Sequence, residues 1–208
     1  MYLLLVIMLI GYLFGCINGS QIIGKYKNIN IKNSGMKNAG ASNTTIVLGW
    51  RYGCIVAFID VTKAILSLAA AGLILNHYNV LFEYQILFLY INALFVVIGH
   101  NFPVTMSFKG GKGTASFFGV LLFLDWKIAV MGLGVLLLFA FVTNYFVTGT
   151  FVLYLFFIMF TAYTHGRGAT YIAFLFTILF LVKHVENFRR IMNKEEVKLS
   201  TLLRREAS

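Results

Sequence analysis

Across 208 residues the chain carries one proline, two cysteines and seven acidic side chains, and charged residues make up only 12% of it. Soluble domains carry about a quarter charged residues. A soluble globular fold is therefore excluded, and so is a charge-rich disordered chain. A lone proline rules out a proline-linker or loop-rich architecture. Cys16 and Cys54 are too few for a disulfide framework, lack metal-site spacing and sit inside apolar runs, where they read as buried, inert thiols. No cationic n-region opens the chain and no small-residue cleavage site follows the first apolar run, so a removable signal peptide is not expected. What the chain does have is hydrophobic residues, 60% of the total, and a formal charge of +10 from 17 basic side chains. Beside membrane spans such a surplus is first of all a topology signal, so no nucleic-acid partner is expected.

A bilayer core of about 30 Å takes roughly 20 apolar residues per helix, which allows about six to eight spans in this length. Apolar runs fall at 2–23, 46–75, 85–100, 115–124, 128–145, 150–164 and 169–182. The second is overlong and holds Arg51, Asp60 and Lys63; the fourth is short unless it borrows Gly113 and Thr114. With seven crossings and a cytoplasmic C-terminus, segments 24–51, 101–113 and 183–208 share one face and hold fourteen of the seventeen basic residues. The positive-inside rule predicts that asymmetry. The expected fold is thus an all-α membrane protein: one domain, 1–208, a polytopic bundle of about seven transmembrane helices. Its N-terminus lies outside, its C-terminus is cytoplasmic, and 183–208 forms a short basic tail.

Three polar segments carry chemistry. In 33–45, eleven of thirteen residues are small, amide or hydroxyl types, among them Ser34, Gly35, Asn38 and Gly40. Glycines let backbone N–H groups approach an anion, and Ser, Thr and Asn add donors; the alternative is a polar turn in which Ser42, Asn43 or Thr44 caps the next helix. The second segment runs Gly99-His100-Asn101-Phe102-Pro103, then Phe108-Lys109-Gly110-Gly111-Lys112-Gly113-Thr114. Amides at a helix start with two ammonium groups have the parts of a phosphate cradle. The Walker A spacing is not met, so ATP is not implied; a flexible basic loop is the plainer alternative. In the third segment His184, Asn187 and Arg190 recur every three residues and share one helix face able to grip an oxyanion, or simply form a basic juxtamembrane helix. Asp60 and Lys63 read as a structural pair, with an ion or substrate relay as the sharper option. His100 reads as a hydrogen-bonded structural histidine. No metal set and no cofactor is expected.

At these segments the chain resembles the bacterial acyl-phosphate-dependent glycerol-3-phosphate acyltransferases of the PlsY type. The G-H-x-x-P…F-K-G-G-K-G-x-A pattern is complete from Gly99 to Ala115. Ser34-Gly35 and Asn38-Ala39-Gly40-Ala41-Ser42-Asn43 match S-G…N-x-G-A-[ST]-N, Asp60 and Lys63 match D-x-x-K, and His184, Glu186, Asn187 and Arg190 match H-x-E-N-x-x-R, with Glu196 at the tail glutamate. The resemblance implies a multi-pass protein of the bacterial cell membrane that acts on the cytoplasmic side, among membrane lipids. It would move a fatty acyl group from acyl phosphate to the sn-1 hydroxyl of glycerol 3-phosphate, giving lysophosphatidic acid and phosphate. By the same carry-over, Ser34, His184 and Asn187 are catalytic. Gly35, Asn38, Gly40, Lys109, Gly110, Gly111, Lys112, Gly113, Thr114 and Arg190 bind substrate phosphate, and Glu196 is structural.

The chain departs from the pattern in several places. Met36 and Lys37 are inserted in the first motif, and Ile46 stands where an arginine is usual, with Arg51 or Lys37 as substitutes. Asn18 replaces a proline in the early G-S-I-P, and Asn144-Tyr145 replaces an arginine-tyrosine pair. The H-x-x-x-x-D motif of the other large glycerolipid acyltransferase group is missing, since Thr105 stands five residues after His100. The rival readings are a small transporter or lipid-handling protein and an inactive paralogue. A transporter would place its polar site at mid-membrane, often between repeats, whereas these motifs lie at span ends and no repeat is visible.

Overall fold

The computed structural model describes residues 2–201, and its regular structure there is helical throughout. In chain order the α-helices are α1 (Tyr2–Cys16), α2 (Gly19–Tyr26), α3 (Ala41–Leu48), α4 (Trp50–His77), α5 (Phe82–Asn101), α6 (Thr114–Leu124), α7 (Trp126–Thr143), α8 (Phe146–Thr164) and α9 (Gly166–Met192). Short 3₁₀ turns lie at Ile31–Asn33 and Val104–Met106. The chain divides into two compact units, one up to Asp125 and one from Trp126.

The first unit is built on close backbone approach. Gly15 of α1 meets Gly99 of α5, where a Cβ on Gly99 would stand 3.0 Å from the Gly15 Cα. Small residues at a crossing let membrane helices pack tightly, and polar side chains then tie them together. Here Asn92 donates to the Ile7 carbonyl at 2.9 Å and accepts from the Ser67 hydroxyl at 3.0 Å, linking α5 to α1 and α4 in the buried interior. The other face of α1 is a stripe of exposed Leu5, Leu9 and Leu13. That four-residue spacing suits a lipid-facing surface.

Two breaks shape this unit. Asn18, in extended backbone, caps α2 by accepting from the Gln21 N–H at 3.0 Å. It does with a side chain what the missing proline does with a ring, separating α1 from α2. Gly49 adopts φ +87° between α3 and α4. The apolar run expected as one span at 46–75 is therefore cut, and only α4 has spanning length. The cap of α3 is Gly40, with no side-chain hydrogen bond, so none of Ser42, Asn43 and Thr44 takes the capping role open to it; Thr44 instead donates back to the Gly40 carbonyl at 3.0 Å.

In the second unit α7 and α8 pack where Gly149 abuts the Leu136 backbone, and α8 and α9 pack through aromatic pairs such as Tyr154–Phe180, 4.7 Å between centroids. The helix α9 does not stop near residue 182 but runs to Met192, carrying His184, Asn187 and Arg190 as helical residues. Beyond it the tail returns to the α7–α8 connection, where Asn144 exchanges hydrogen bonds with Leu199 and Ser200. Arg204 and Arg205 of the expected basic tail lie outside the described residues.

Among the described residues six stretches are long and apolar enough to span a membrane: Tyr2–Tyr26, Trp50–His77, Phe82–Met106, Trp126–Thr143, Phe146–Thr164 and Gly166–Met192. The expected seventh, α6, has 11 residues. At 1.5 Å per residue it reaches about 16 Å, roughly half a bilayer core. Cys16 is buried as expected, but Cys54 is exposed on α4.

Candidate active site

The first polar segment folds into a loop clasped by one side chain. Asn43, 1% exposed on the first turn of α3, donates through Nδ2 to the carbonyls of Ile31 (2.9 Å), Ser34 (3.0 Å) and Asn38 (2.8 Å). Its Oδ1 accepts from the Met36 N–H at 2.6 Å. Every polar atom of this amide is spent on the loop's own backbone. Ser34 is half-buried, and its hydroxyl donates to the Asn30 carbonyl at 2.9 Å, which leaves the oxygen's lone pairs to accept. Gly35 lies beside Asn43, and Gly40 leads into α3.

The glycine-rich segment lies against the end of α5. Its Gly110 N–H donates to the Asn101 carbonyl and its Gly111 N–H to the His100 carbonyl, both at 3.1 Å. Two of the amides expected to face an anion are thus engaged with protein. A Cβ on Gly111 would run into His100 Nε2 and stand 2.5 Å from the Ala39 carbonyl, so only glycine fits. Gly113 adopts φ +84° immediately before α6, a conformation side chains disfavour. Thr114 is the first residue of α6, Lys109 is exposed and Lys112 half-buried.

These contacts bring the first loop and the glycine-rich segment together. Gly111 meets Ala39, and the Asn18 amide donates to that same Ala39 carbonyl at 3.3 Å. The Lys32 ammonium donates to the Met106 carbonyl at 3.0 Å. Neither Lys37 nor Arg51, the substitutes considered for the missing arginine, makes such a link; both are exposed, and it is Lys32 that ties the first loop to the turn before the glycines. Beside this junction lies a cavity of about 490 Å³ lined by Gln21, Lys25, Asn28, Asn30, Lys32 and Ser107 among others. None of the site residues expected from sequence lines it.

Beneath the junction sits a cluster that sequence reading saw only in pieces. Lys63 donates to Asp60 Oδ1 at 2.9 Å, to the Ile17 carbonyl at 2.5 Å and to the Gly15 carbonyl at 3.1 Å, and lies 2.8 Å from His100 Nδ1. Asp60 Oδ1 also accepts from the Gly19 N–H at 3.3 Å. The three side chains are at most 3% exposed. The clue in the sequence was an i,i+3 Asp–Lys pair facing a histidine at the next span's end; their meeting, across 37 residues, was not legible.

The third motif belongs to the second unit. His184 is 4% exposed, stacks on Phe180 with centroids 4.1 Å apart, and its Nδ1 lies 2.9 Å from the Phe180 carbonyl. A carbonyl can only accept, so Nδ1 carries a proton and Nε2 of the neutral ring is an acceptor. Asn187 Nδ2 donates to Glu196 Oε1 and Arg190 Nε to Glu196 Oε2, each at 2.6 Å. Glu196 thereby fixes both the amide and the guanidinium. Among the described residues no three His, Cys, Asp or Glu side chains gather as a metal set.

The family model for glycerol-3-phosphate acyltransferase matches residues 5–194. The chain belongs to this family. Among its relatives, glycerol-3-phosphate acyltransferase 1 of Oceanobacillus iheyensis is 49% identical over 96% of this chain and 97% of its own length. The Bacillus subtilis glycerol-3-phosphate acyltransferase is 30% identical over 96% of this chain and the whole of its own. The crystal structure of PlsY, an integral membrane glycerol 3-phosphate acyltransferase, is similar in its glycerol 3-phosphate form with a TM-score of 0.82, at 27% identity and 94% coverage of both chains. The lysophosphatidic acid form of PlsY is similar with a TM-score of 0.81, at 26% identity over 96% of this chain and 98% of that one. Like these relatives, the chain is an all-helical integral membrane protein with several spans.

Proposed function

We propose that this chain transfers a fatty acyl group from an acyl phosphate to the sn-1 hydroxyl of glycerol 3-phosphate, yielding lysophosphatidic acid and inorganic phosphate for phospholipid biosynthesis. Family membership supports the acceptor and the reaction class. The observation that carries the site is the junction of the first loop with the glycine-rich segment at Ala39 and Gly111, which gathers Ser34, Lys109 and Lys112 on neighbouring loops. The chain 1–208 acts as one acyltransferase domain. Lys109 to Thr114 hold the phosphate of glycerol 3-phosphate, with Gly35, Asn38, Gly40 and Arg190 as further phosphate contacts. Ser34, His184 and Asn187 serve the reacting groups.

An acyl phosphate already carries a good leaving group, so no acyl-enzyme is needed. The acceptor hydroxyl oxygen attacks the acyl carbon, the bond from that carbon to the phosphate oxygen breaks, and the hydroxyl proton leaves with the phosphate. Orientation and neutralisation of two phosphates supply the barrier reduction. His184, its Nδ1 held by the Phe180 carbonyl, orients that hydroxyl. The chain crosses the bacterial cell membrane seven times, N-terminus outside and C-terminus inside, with α6 as a short crossing around which the bilayer thins. The charge bias of fourteen basic residues in segments 24–51, 101–113 and 183–208 supports that orientation.

The test is a transfer assay with purified protein, palmitoyl phosphate and labelled glycerol 3-phosphate. Lysophosphatidic acid formation is expected. No product, with an active family member working in the same detergent, would overturn the reading; product only with palmitoyl-coenzyme A would replace the donor.

A further inference from the structure

We infer that Asp60, Lys63 and His100 are positioning residues for the glycine-rich segment, and that the imidazole of His100 sets from beneath how that segment grips a substrate phosphate. This rests on the proposal that residues 109–113 hold glycerol 3-phosphate. Lys63 carries only protons, so the lone pair in its 2.8 Å contact with His100 belongs to Nδ1. The neutral ring is then protonated at Nε2, and the ammonium fixes both tautomer and orientation. Nε2 is the atom a Cβ on Gly111 would strike, and a Cβ on Gly110 would strike the carbonyl of the same histidine. Ring and backbone of His100 together form the seat of Gly110 and Gly111, whose amides donate to the carbonyls of Asn101 and His100.

The seat is anchored to more than α5. Lys63 holds the carbonyls of Gly15 and Ile17 at the α1–α2 break, and Asp60 accepts from Gly19 just beyond it. From that break Asn18 reaches Ala39, on the far side of Gly111. The glycine is held between His100 below and Ala39 beside it, and both trace back to the same buried ion pair. Burying an ion pair is a poor way to gain stability alone, since apolar residues of similar volume often do as well. Its use here is to fix where the loop lies.

The experiment is steady-state kinetics with palmitoyl phosphate and glycerol 3-phosphate, on His100→Asn, Gly111→Ala, the double variant, and Lys112→Ala as a reference within the loop. An asparagine amide oxygen can replace Nδ1 as acceptor for Lys63 but stops short of Gly111. His100→Asn is expected to raise KM for glycerol 3-phosphate about tenfold, with kcat within about threefold and KM for palmitoyl phosphate unchanged, the pattern of lost ground-state binding. Gly111→Ala, pressing on the same contact from the loop side, should show the same split, and the double variant should be no worse than Gly111→Ala alone. If Lys112→Ala raises KM while His100→Asn and Gly111→Ala do not, the positioning role is wrong and the loop reading survives. If none of them moves KM, the loop reading falls and takes this inference with it. A fall in kcat at constant KM for His100→Asn would also overturn it, by making His100 a participant in the chemistry.

Discussion

Replacing Lys63 by methionine keeps the length and apolar stem of the side chain and removes its ammonium. The ammonium's contacts to Asp60, to the carbonyls of Gly15 and Ile17 and to His100 Nδ1 all vanish, while Asp60 stays 1% exposed, with the Gly19 amide at 3.3 Å and His100 Nδ1 at 3.5 Å nearby. Breaking a buried pair by removing one partner costs about 3–5 kcal/mol. Counting separately, the buried Gly15 carbonyl left without this donor costs about 1–3 kcal/mol and the part-buried Ile17 carbonyl adds a smaller amount. Both routes reach a loss of a few kcal/mol. For a chain of this size that corresponds to a melting temperature lower by roughly 10 °C. The assay is thermal unfolding in one fixed detergent. Asp60→Asn combined with Lys63→Met removes the uncompensated carboxylate, so the pair of substitutions should be milder than the sum of the singles by more than about 1 kcal/mol. A single variant melting within 2 °C of the parent, or strict additivity, would refute the reasoning.

Other consequences are equally direct. Asn43→Asp turns the amide that feeds three carbonyls into an acceptor facing them; it should cost about 2–4 kcal/mol and speed proteolysis within residues 34–40, both measurable on purified protein. Glu196→Gln weakens the charge-assisted bonds to Arg190 and Asn187, so thermal stability should drop by about 1.5–3 kcal/mol. Lys112→Ala should raise the Michaelis constant for glycerol 3-phosphate, and an unchanged constant would remove Lys112 from the phosphate site.

Helix type and the approximate place of most spans were visible in hydropathy alone, because a bilayer demands long apolar runs. Breaks were not. Gly49 and Asn18 sit inside stretches that remain apolar on average, and a φ of +87° or one capping amide leaves no trace in a hydropathy window. The motif segments stood out by composition, but the partners of their residues did not. Asn43 looked like a donor to an anion or a cap for the next helix and is instead consumed by the loop behind it. His100 read correctly as hydrogen-bonded, yet its partner lies 37 residues away on another helix. Contacts at that separation depend on how helices cross, which no local pattern encodes. The missing arginine shows the same limit: Lys32 lies outside the matched motif, and only the folded chain puts its ammonium at Met106.

Accessibility labelling of the two loops and of the segment after α9 tests the account most directly. In a Cys54→Ser background, where the remaining Cys16 is buried, single substitutions Lys37→Cys, Lys109→Cys and Lys194→Cys place a thiol at exposed positions beside each of the three motifs. An impermeant thiol reagent added to sealed, oriented vesicles should modify all three from the cytoplasmic face only. Labelling of the third from the opposite face to the first two would mean that α6 does not cross, that six spans are the true number, and that His184 and Asn187 cannot serve the reaction assigned to them.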